Sequence, residues 1–226
     1  MDRLRLVIFD VDGTLIDSQR FILGAMRRAF AQAGLPAPAD AATLGIVGLS
    51  LREAMAALVP EVPAPERERL AALYKQCFTA QRAETGGEAQ APLYPGARAA
   101  LERLDRAGWL LSVATGKGRR GLRHVLESHG LDRFFIGTQT ADDAPSKPHP
   151  GMLLNCLAAT GVEAAQAVMV GDSTFDMAMA RAAGVRALGV TWGFQPPGRL
   201  VEAGAERLVQ SYDALDAALA EVLEGA

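Results

Sequence analysis

The chain has 226 residues, 23 of them Lys or Arg and 26 Asp or Glu, and half of its residues are hydrophobic. This length suits one α/β domain or a domain with a smaller insert, and the apolar content can fill a sizeable core. The net charge of −3 argues against a nucleic-acid partner, and no run approaches a membrane span or a leader sequence, so we expect no membrane partner and a cytoplasmic protein.

The first predicted element is a strand that ends in two carboxylates. Residues 6–9 form a continuous apolar run, which is typical of a strand buried on both faces of a parallel sheet. Asp10 and Asp12 follow it, and Gly13 allows the chain to turn. Both acids should lie at the carboxyl edge, where open α/β sheets bind ligands. Acids this close repel each other unless they share a proton or bind a divalent cation.

The next segment, residues 17–92, is predicted to be helical and contains no convincing strand pattern. Apolar spacing, an N-cap serine at position 50 and proline breaks predict three helices. They should cover about 21–33, 50–58 and 66–81, and a loose stretch should begin at Gly86 and Gly87. We therefore expect a helical domain, residues 17–92, inserted into an α/β core made of residues 1–16 and 93–226.

Strands and helices alternate from residue 93 onward. Apolar runs predict strands at 109–114, 134–137, 167–170 and 185–191, with helices between them and a last helix at 212–223. Strands separated by helices indicate a doubly wound, parallel (Rossmann-like) α/β sheet.

Lysine and cysteine are scarce, which makes their positions informative. Only three of the 23 basic residues are lysines, at positions 75, 117 and 147. A lysine in an arginine-rich chain indicates a place where a compact ammonium is wanted. Cys77 and Cys156 fall within expected helices and lack the neighbours of a metal or redox site, which favours buried thiols.

Polar residues follow two of the later strands. Thr115 and Gly116 end the strand at 109–114, where a hydroxyl and free backbone N–H groups can hold a phosphate oxygen. We expect the adjacent Lys117 to be a solvated lysine at a helix start rather than a ligand contact. Asp172 follows the strand at 167–170, and Asp176 lies one helical turn beyond it. Two acids near one point suit Mg²⁺, although Asp172 could instead cap the helix.

Lys147 lies in a loop between Pro145 and Pro148, which leave the backbone little freedom. An exposed loop lysine would be the default interpretation in a lysine-rich protein. The scarcity of lysine and the two prolines favour a functional role here.

In chain order, four stretches resemble the motifs of the haloacid dehalogenase superfamily of phosphotransferases. They are the stretches around Asp10 and Asp12, Thr115 and Gly116, Lys147, and Asp172 and Asp176. The phosphoglycolate phosphatase-like branch of the superfamily is the most similar. The Asp-Val-Asp-Gly-Thr-Leu stretch at 10–15 carries the first motif. The resemblance implies that Asp10 is a nucleophile that forms an aspartyl phosphate and that Asp12 is the general acid/base. A carboxylate nucleophile divides one difficult displacement into two easier ones.

The other three motifs are implied to complete the site. Thr115 would bind the phosphate, although Gly116 stands where the family usually has Asn. Lys147 would hold both the nucleophile and the phosphate. Asp172 would bind Mg²⁺ together with Asp10 and the backbone carbonyl of Asp12, and Asp176 would be a supporting acid.

The resemblance implies a Mg²⁺-dependent phosphatase for a small phosphorylated metabolite, with residues 17–92 as a cap over the site. Such a lid excludes water and contacts the substrate. Within this cap, Arg52 is a candidate contact for a substrate carboxylate or second phosphate, or else a solvated helix arginine.

Four other activities are weighed against this one. A haloacid dehalogenase lacks the second acid of the first motif, and a phosphonatase needs a cap lysine, for which Lys75 is the sole candidate. A phosphomutase of the β-phosphoglucomutase type shares all four motifs, but its cap motif Gly-x-Ser-Arg is displaced by one residue in the stretch 48–52. A non-catalytic phosphate sensor on the same fold is the fourth, because fold does not determine function.

Overall fold

The computed structural model describes residues 4–84 and 91–224. Six strands occur in these ranges: β1 (Leu6–Phe9), β2 (Leu110–Ala114), β3 (Gly137–Gln139), β4 (Ala167–Gly171), β5 (Arg186–Val190) and β6 (Arg207–Val209). They form one sheet in the order β3-β2-β1-β4-β5-β6, and every neighbouring pair is parallel. The predicted parallel α/β sheet is confirmed.

Ten α-helices occur in the same ranges. They are α1 (Gln19–Ala33), α2 (Asp40–Gly45), α3 (Leu51–Leu58), α4 (Ala64–Glu84), α5 (Ala97–Arg106), α6 (Arg119–Ser128), α7 (Gly151–Thr160), α8 (Thr174–Ala183), α9 (Pro197–Ala203) and α10 (Leu215–Glu224). None of the helices in the described ranges is long and apolar enough to cross a membrane.

Strand β1 is the centre of two hydrophobic cores. All four of its residues are buried, and neighbouring side chains point to opposite faces of the sheet. Val7 and Phe9 pack with residues of α5, α6 and α10, whereas Leu6 and Ile8 pack with residues of α7, α8 and α9. Helices therefore cover both faces, which explains why β1 is continuously apolar.

The carboxyl edge of the sheet collects the polar residues that follow the strands. Asp10 follows β1, Thr115 follows β2, and Asp172 follows β4. Because β1 lies between β2 and β4, these three residues lie on adjacent strand ends. The strand order reverses at this point, and ligands of doubly wound sheets bind in the crevice formed there.

The four helices α1–α4 lie between β1 and α5 in the chain and pack largely on one another. Helix α1 contacts α4 and α2, and α3 contacts α4. Met26, Phe30, Met55, Val59 and Leu70 form their shared buried cluster. The division into core and cap stays a prediction, and the loose stretch expected at Gly86 and Gly87 lies outside the described residues.

One predicted strand is misplaced. The prediction of a strand at 134–137 is wrong, because Asp132–Phe134 is a 3₁₀ turn and the strand is Gly137–Gln139. Phe134 is buried in the same hydrophobic core as residues of β2, but the pairing of β3 with β2 begins only at Gly137. The sequence pattern also missed α2, α9 and β6, which are all short.

Candidate active site

The Asp10 side chain is fixed by its place at the end of β1. Its backbone N–H donates to Val170 O at 3.0 Å, so the sheet contact continues up to the carboxylate. The chain then turns at Gly13, whose φ of +83° favours glycine. A Cβ on Gly13 would lie 2.2 Å from Asp172 Oδ2, so only glycine allows these two strand ends to approach.

Lys147 supplies the positive charge at this site. Its Nζ lies 2.9 Å from Asp10 Oδ1 and 2.6 Å from Asp176 Oδ1, and none of its side chain is exposed. Burial alone would lower the pKa of Lys147, but the two carboxylates outweigh burial and raise it. The lysine is therefore a fixed ammonium, joined to both acids.

Asp176 is held by the first turn of α8. Ser173 Oγ accepts from Asp176 N at 3.2 Å, while Ser173 N donates to Asp176 Oδ2 at 3.1 Å, which is a capping box. This arrangement occupies Oδ2 and leaves Oδ1 for Lys147. The helix cap therefore orients the acid that orients the lysine.

Both oxygens of Asp172 accept hydrogen bonds. Thr14 Oγ1 donates to Oδ1 at 3.0 Å, and Phe194 N donates to Oδ2 at 2.8 Å. Burial, followed by the charges of Asp10 and Asp176, nevertheless raises the pKa of Asp172 well above its usual range. The hydrogen bonds thus orient Asp172, but they do not offset the cost of a buried negative charge beside two other acids.

Asp10 shows the same imbalance. Burial raises its pKa to about 7, and Asp176 adds to the effect, although Lys147 opposes both. Carboxylate oxygens of Asp10, Asp172 and Asp176 all lie within 4.8 Å of one another. Three buried acids around one ammonium leave excess negative charge, and hard oxygen donors at this spacing fit a divalent cation such as Mg²⁺.

Asp12 has a different partner from the three clustered acids. Its Oδ2 lies 2.9 Å from Lys117 Nζ, and 13% of the Lys117 side chain is exposed. Asp12 Oδ1 is buried and has no hydrogen-bond partner within the part of the chain that the structure describes, so it can contact a bound group. The expected metal contact of Asp12 through its backbone carbonyl stays a prediction.

The expectation of a solvated Lys117 is therefore wrong. Its ammonium lies 5.4 Å from the ring centroid of Phe78, which belongs to α4. A Cβ on Gly121 would lie 3.0 Å from Lys117 Cγ, so the missing side chain makes room for the lysine. Helix-start position alone indicated exposure, whereas contacts with Phe78 of α4 and with Asp12 remove most of the side chain from solvent.

Thr115 and Gly116 lie beside these residues. Thr115 is buried, and its hydroxyl oxygen accepts from Lys117 N at 3.3 Å. A Cβ on Gly116 would lie 2.4 Å from the carbonyl oxygens of Gly48 and Leu49. The backbone that precedes α3 thus occupies the space that the usual Asn side chain would need, which explains the departure from the family pattern.

Arg52 is not among the residues that the structure brings together. Its side chain is 81% exposed, and Nη2 lies 3.7 Å from Glu68 Oε1 on α4. The predicted substrate contact of Arg52 has no support from this geometry and stays a prediction.

Several residues that orient the site were missed. Thr14 O accepts from Tyr212 Oη at 2.8 Å and from Trp192 Nε1 at 3.1 Å. Trp192 belongs to the loop 192–195 that follows β5, and Phe194 of this loop donates to Asp172. The sequence could have indicated this loop, because in a parallel sheet the residues that follow β5 lie at the same edge as those that follow β1 and β4.

Comparison with known proteins agrees with this arrangement. The model of the family described as "Haloacid dehalogenase-like hydrolase" matches residues 7–190. This chain belongs to the haloacid dehalogenase-like hydrolase family. The match covers all four motifs of the site and the sheet from Val7 in β1 to the end of β5.

Two relatives and one solved structure describe the similarity further. The probable phosphatase IndB of Dickeya dadantii is 35% identical over 92% of this chain and 90% of its own length. The plasmid-encoded phosphoglycolate phosphatase of Cupriavidus necator is 34% identical over 94% of this chain and 92% of its own. A hydrolase from Pseudomonas syringae has a TM-score of 0.85 and 28% identity, covering 96% and 98% of the two chains.

Proposed function

We propose that this haloacid dehalogenase-like hydrolase is a Mg²⁺-dependent phosphatase that hydrolyses small phosphomonoesters through an aspartyl phosphate on Asp10. The chain is a phosphoric monoester hydrolase, as its membership of a hydrolase family and its named phosphatase relatives together indicate. The observation that carries the mechanism is the buried Asp10 in contact with Lys147 and next to Asp172 and Asp176.

In the first half-reaction, an Asp10 oxygen attacks phosphorus. The P–O bond to the leaving group breaks as the Asp10–phosphorus bond forms, and Asp12 donates a proton to the departing oxygen. Lys147 and Thr115 stabilise the negative charge on the phosphoryl oxygens. The free, buried Oδ1 of Asp12 supports this proton-donor role.

In the second half-reaction, water hydrolyses the aspartyl phosphate. Asp12 takes a proton from the water while the water oxygen bonds to phosphorus, and the bond from phosphorus to the Asp10 oxygen breaks. Inorganic phosphate leaves, and Asp10 returns to its carboxylate form. One residue therefore acts as acid and then as base, in keeping with microscopic reversibility.

Asp10 and Asp172, with the backbone carbonyl of Asp12, would hold the metal ion. A bound Mg²⁺ would neutralise the developing charge on the transferring phosphoryl group. The exclusively oxygen donor set favours this ion. Asp176 would be a supporting acid that holds Lys147 in place.

The substrate is proposed to be a small phosphorylated metabolite similar to phosphoglycolate, the substrate named for the relative from Cupriavidus necator. Residues 17–92 are proposed to form the cap over this substrate. Phe78 on α4 supports the cap assignment, since its ring faces the Lys117 ammonium, which in turn contacts Asp12.

Phosphate release tests this proposal directly. Purified protein should release inorganic phosphate from p-nitrophenyl phosphate with Mg²⁺ and lose this activity with EDTA. A panel of phosphomonoesters that includes phosphoglycolate and β-glucose 1-phosphate should then be compared by kcat/KM. Isomerisation of the sugar phosphate without phosphate release would indicate the phosphomutase instead, and no turnover of any ester would indicate a sensor.

Replacing the nucleophile provides the mechanistic test. We expect Asp10→Asn to lose turnover by about 10⁴-fold or more, because an amide oxygen is a poor nucleophile and forms no aspartyl phosphate. Trapping of phosphate on the wild-type chain, located by mass spectrometry, should identify Asp10. Full turnover in Asp10→Asn would rule out this mechanism.

A further inference from the structure

The loop 192–195 connects the acid Asp172 to residues from two other parts of the chain. Phe194 N donates to Asp172 Oδ2 at 2.8 Å, and Trp192 Nε1 donates to Thr14 O at 3.1 Å. A Cβ on Gly193 would lie 2.1 Å from Asp172 Cβ, so the loop lies directly against this acid. The orientation of Asp172 thus depends on where this loop lies.

Gln195 extends the same loop to α2. Gln195 is 3% exposed, and its Oε1 accepts from Thr174 N at 3.0 Å while its Nε2 donates to Gly45 O at 3.1 Å. One partner is a backbone donor and the other a backbone acceptor, so only one orientation of the amide makes both bonds. Thr174 begins α8, two residues after Asp172.

The segment 45–50 runs from the last residue of α2 to the start of α3 and lies against several loops of the site. Ser50 N donates to Ser146 Oγ at 2.7 Å, next to Lys147. A Cβ on Gly48 would lie 2.9 Å from Ser173 Oγ, next to Asp172. The carbonyl oxygens of Gly48 and Leu49 approach Gly116 closely. The Gln195 amide adds a hydrogen-bonded connection between Gly45 of this segment and Thr174, two residues after Asp172.

We propose that Gln195 is a positioning residue that couples docking of the segment 45–50 to metal binding at Asp172. Docking of the segment fixes the Gln195 amide, which fixes the start of α8 and the loop that orients Asp172. A metal ion bound by Asp172 stabilises the same arrangement and so favours the docked segment, since coupling between two sites is reciprocal. This inference rests on the proposed Mg²⁺-dependent function.

The coupling can be measured with Mg²⁺ alone, without any substrate. In the wild-type protein, Mg²⁺ should slow hydrogen exchange in peptides that cover 45–50, including the Ser50 amide. Gln195→Met keeps the side-chain length but removes both hydrogen bonds, so exchange should be faster and Mg²⁺ should no longer slow it. Calorimetry should show Mg²⁺ binding weakened by about fivefold or more, because each of the two lost neutral hydrogen bonds typically contributes about this factor.

Ser146→Ala is the matched control. It removes the hydrogen bond to Ser50 but leaves Gln195 intact. Exchange in 45–50 should again rise without metal, yet Mg²⁺ should still slow it, because the connection through Gln195 remains. A purely structural contribution of Gln195 would make the two variants respond alike to Mg²⁺.

Gln195→Glu gives a second test if the methionine variant does not fold. Its carboxylate can accept from Thr174 N but cannot donate to Gly45 O, so the response of 45–50 to Mg²⁺ should also be lost. The coupling alone would be overturned by the following result. The folded Gln195 variants keep their Mg²⁺-dependent protection and bind Mg²⁺ as tightly as the wild-type protein, and the wild-type protein releases phosphate. A wild-type protein that releases no phosphate with Mg²⁺ would instead overturn the proposed function.

Discussion

Lys147 is the charge on which the buried acids depend. Its ammonium contacts Asp10 and Asp176, and Asp172 carries a third carboxylate in the same cluster. A buried ion that loses its partner is much less favourable than one that is paired, because burial has already removed its water. The same lysine therefore contributes to stability and, as proposed, to phosphate binding.

Replacing this lysine should affect both properties. We expect Lys147→Met to reduce kcat/KM by about 100-fold or more, since a preorganised charge at a phosphoryl group typically contributes this much. The free energy of unfolding should fall by about 3 kcal/mol or more in the metal-free protein at neutral pH. Steady-state kinetics and denaturant unfolding measure the two effects.

Lys75→Met is the matched control for this substitution, because Lys75 is an exposed lysine on α4. It should leave both quantities near their wild-type values. Equal losses in the two variants would contradict a special role for Lys147.

At the level of helices and strands, long apolar runs were predictive and short elements were not. The bounds of β1, β2, β4 and β5 were predicted to within one residue, because each fills a buried position between helices. The strand β3 has three residues on the sheet edge, where little apolar surface is buried and the pattern is weak. Helix α9 begins with Pro-Gly, which suits a first turn but in sequence indicates a break.

Some polar residues at the site could be placed from the sequence and others could not. Asp10, Thr115 and Asp172 could be placed together because each directly follows a buried strand. The contacts of Lys117 with Phe78 and of Gln195 with Gly45 join residues far apart in the chain, and local patterns contain no information on such pairs.

The contact between Gly116 and the backbone before α3 gives a prediction at this level. Gly116→Ala places a methyl group 2.4 Å from two carbonyl oxygens, so the segment must shift. We expect a loss of about 1–3 kcal/mol in the free energy of unfolding, the usual range for overpacking. Faster hydrogen exchange in 45–50 should accompany the loss.

Gly45→Ala is a control within the same segment. A Cβ on Gly45 would meet nothing within 4 Å, and alanine favours the helix by up to about 1 kcal/mol. Unchanged or higher stability is expected for this variant. A similar loss in both variants would show that the close approach at Gly116 is not the cause.

The two cysteines are probes of packing in two parts of the molecule. One lies among the helices α1–α4 and the other lies on a helix that packs on the sheet. Cys77 on α4 and Cys156 on α7 are both buried free thiols, as the sequence indicated. Burial also raises the pKa of Cys156 to about 12, which further suppresses its reactive thiolate.

Thiol labelling of the native protein should therefore be slow. Cys77 should react first, because among the described residues its cluster consists of three buried side chains, those of Ala25, Ala29 and Cys77. Cys156 belongs to the larger core on one face of the sheet. Timed labelling followed by mass spectrometry of the peptides measures the order. Rapid reaction of Cys156 in the native protein would contradict the packing of α7 described here.

The balance between protons and metal ions determines how the stability of the whole molecule depends on pH. The folded-state pKa of Asp10 is about 7, above its ordinary value of 3.8, so the folded protein holds this proton more tightly than the unfolded chain. A raised carboxyl pKa contributes stability that is complete below about pH 4 and is lost as the pH rises towards about 7. The raised pKa of Asp172 acts in the same direction.

We accordingly expect the metal-free protein to lose thermal stability between about pH 5 and about pH 7.5, apart from other titrations. A metal ion competes with protons for the same carboxylates, so Mg²⁺ should raise the Tm by more at the higher pH. Melting curves with EDTA and with millimolar Mg²⁺ measure both effects. In Asp172→Asn the Mg²⁺-induced rise should be smaller, because one acid of the cluster is gone. An equal rise in Tm at both pH values would mean that Mg²⁺ does not replace protons on these acids.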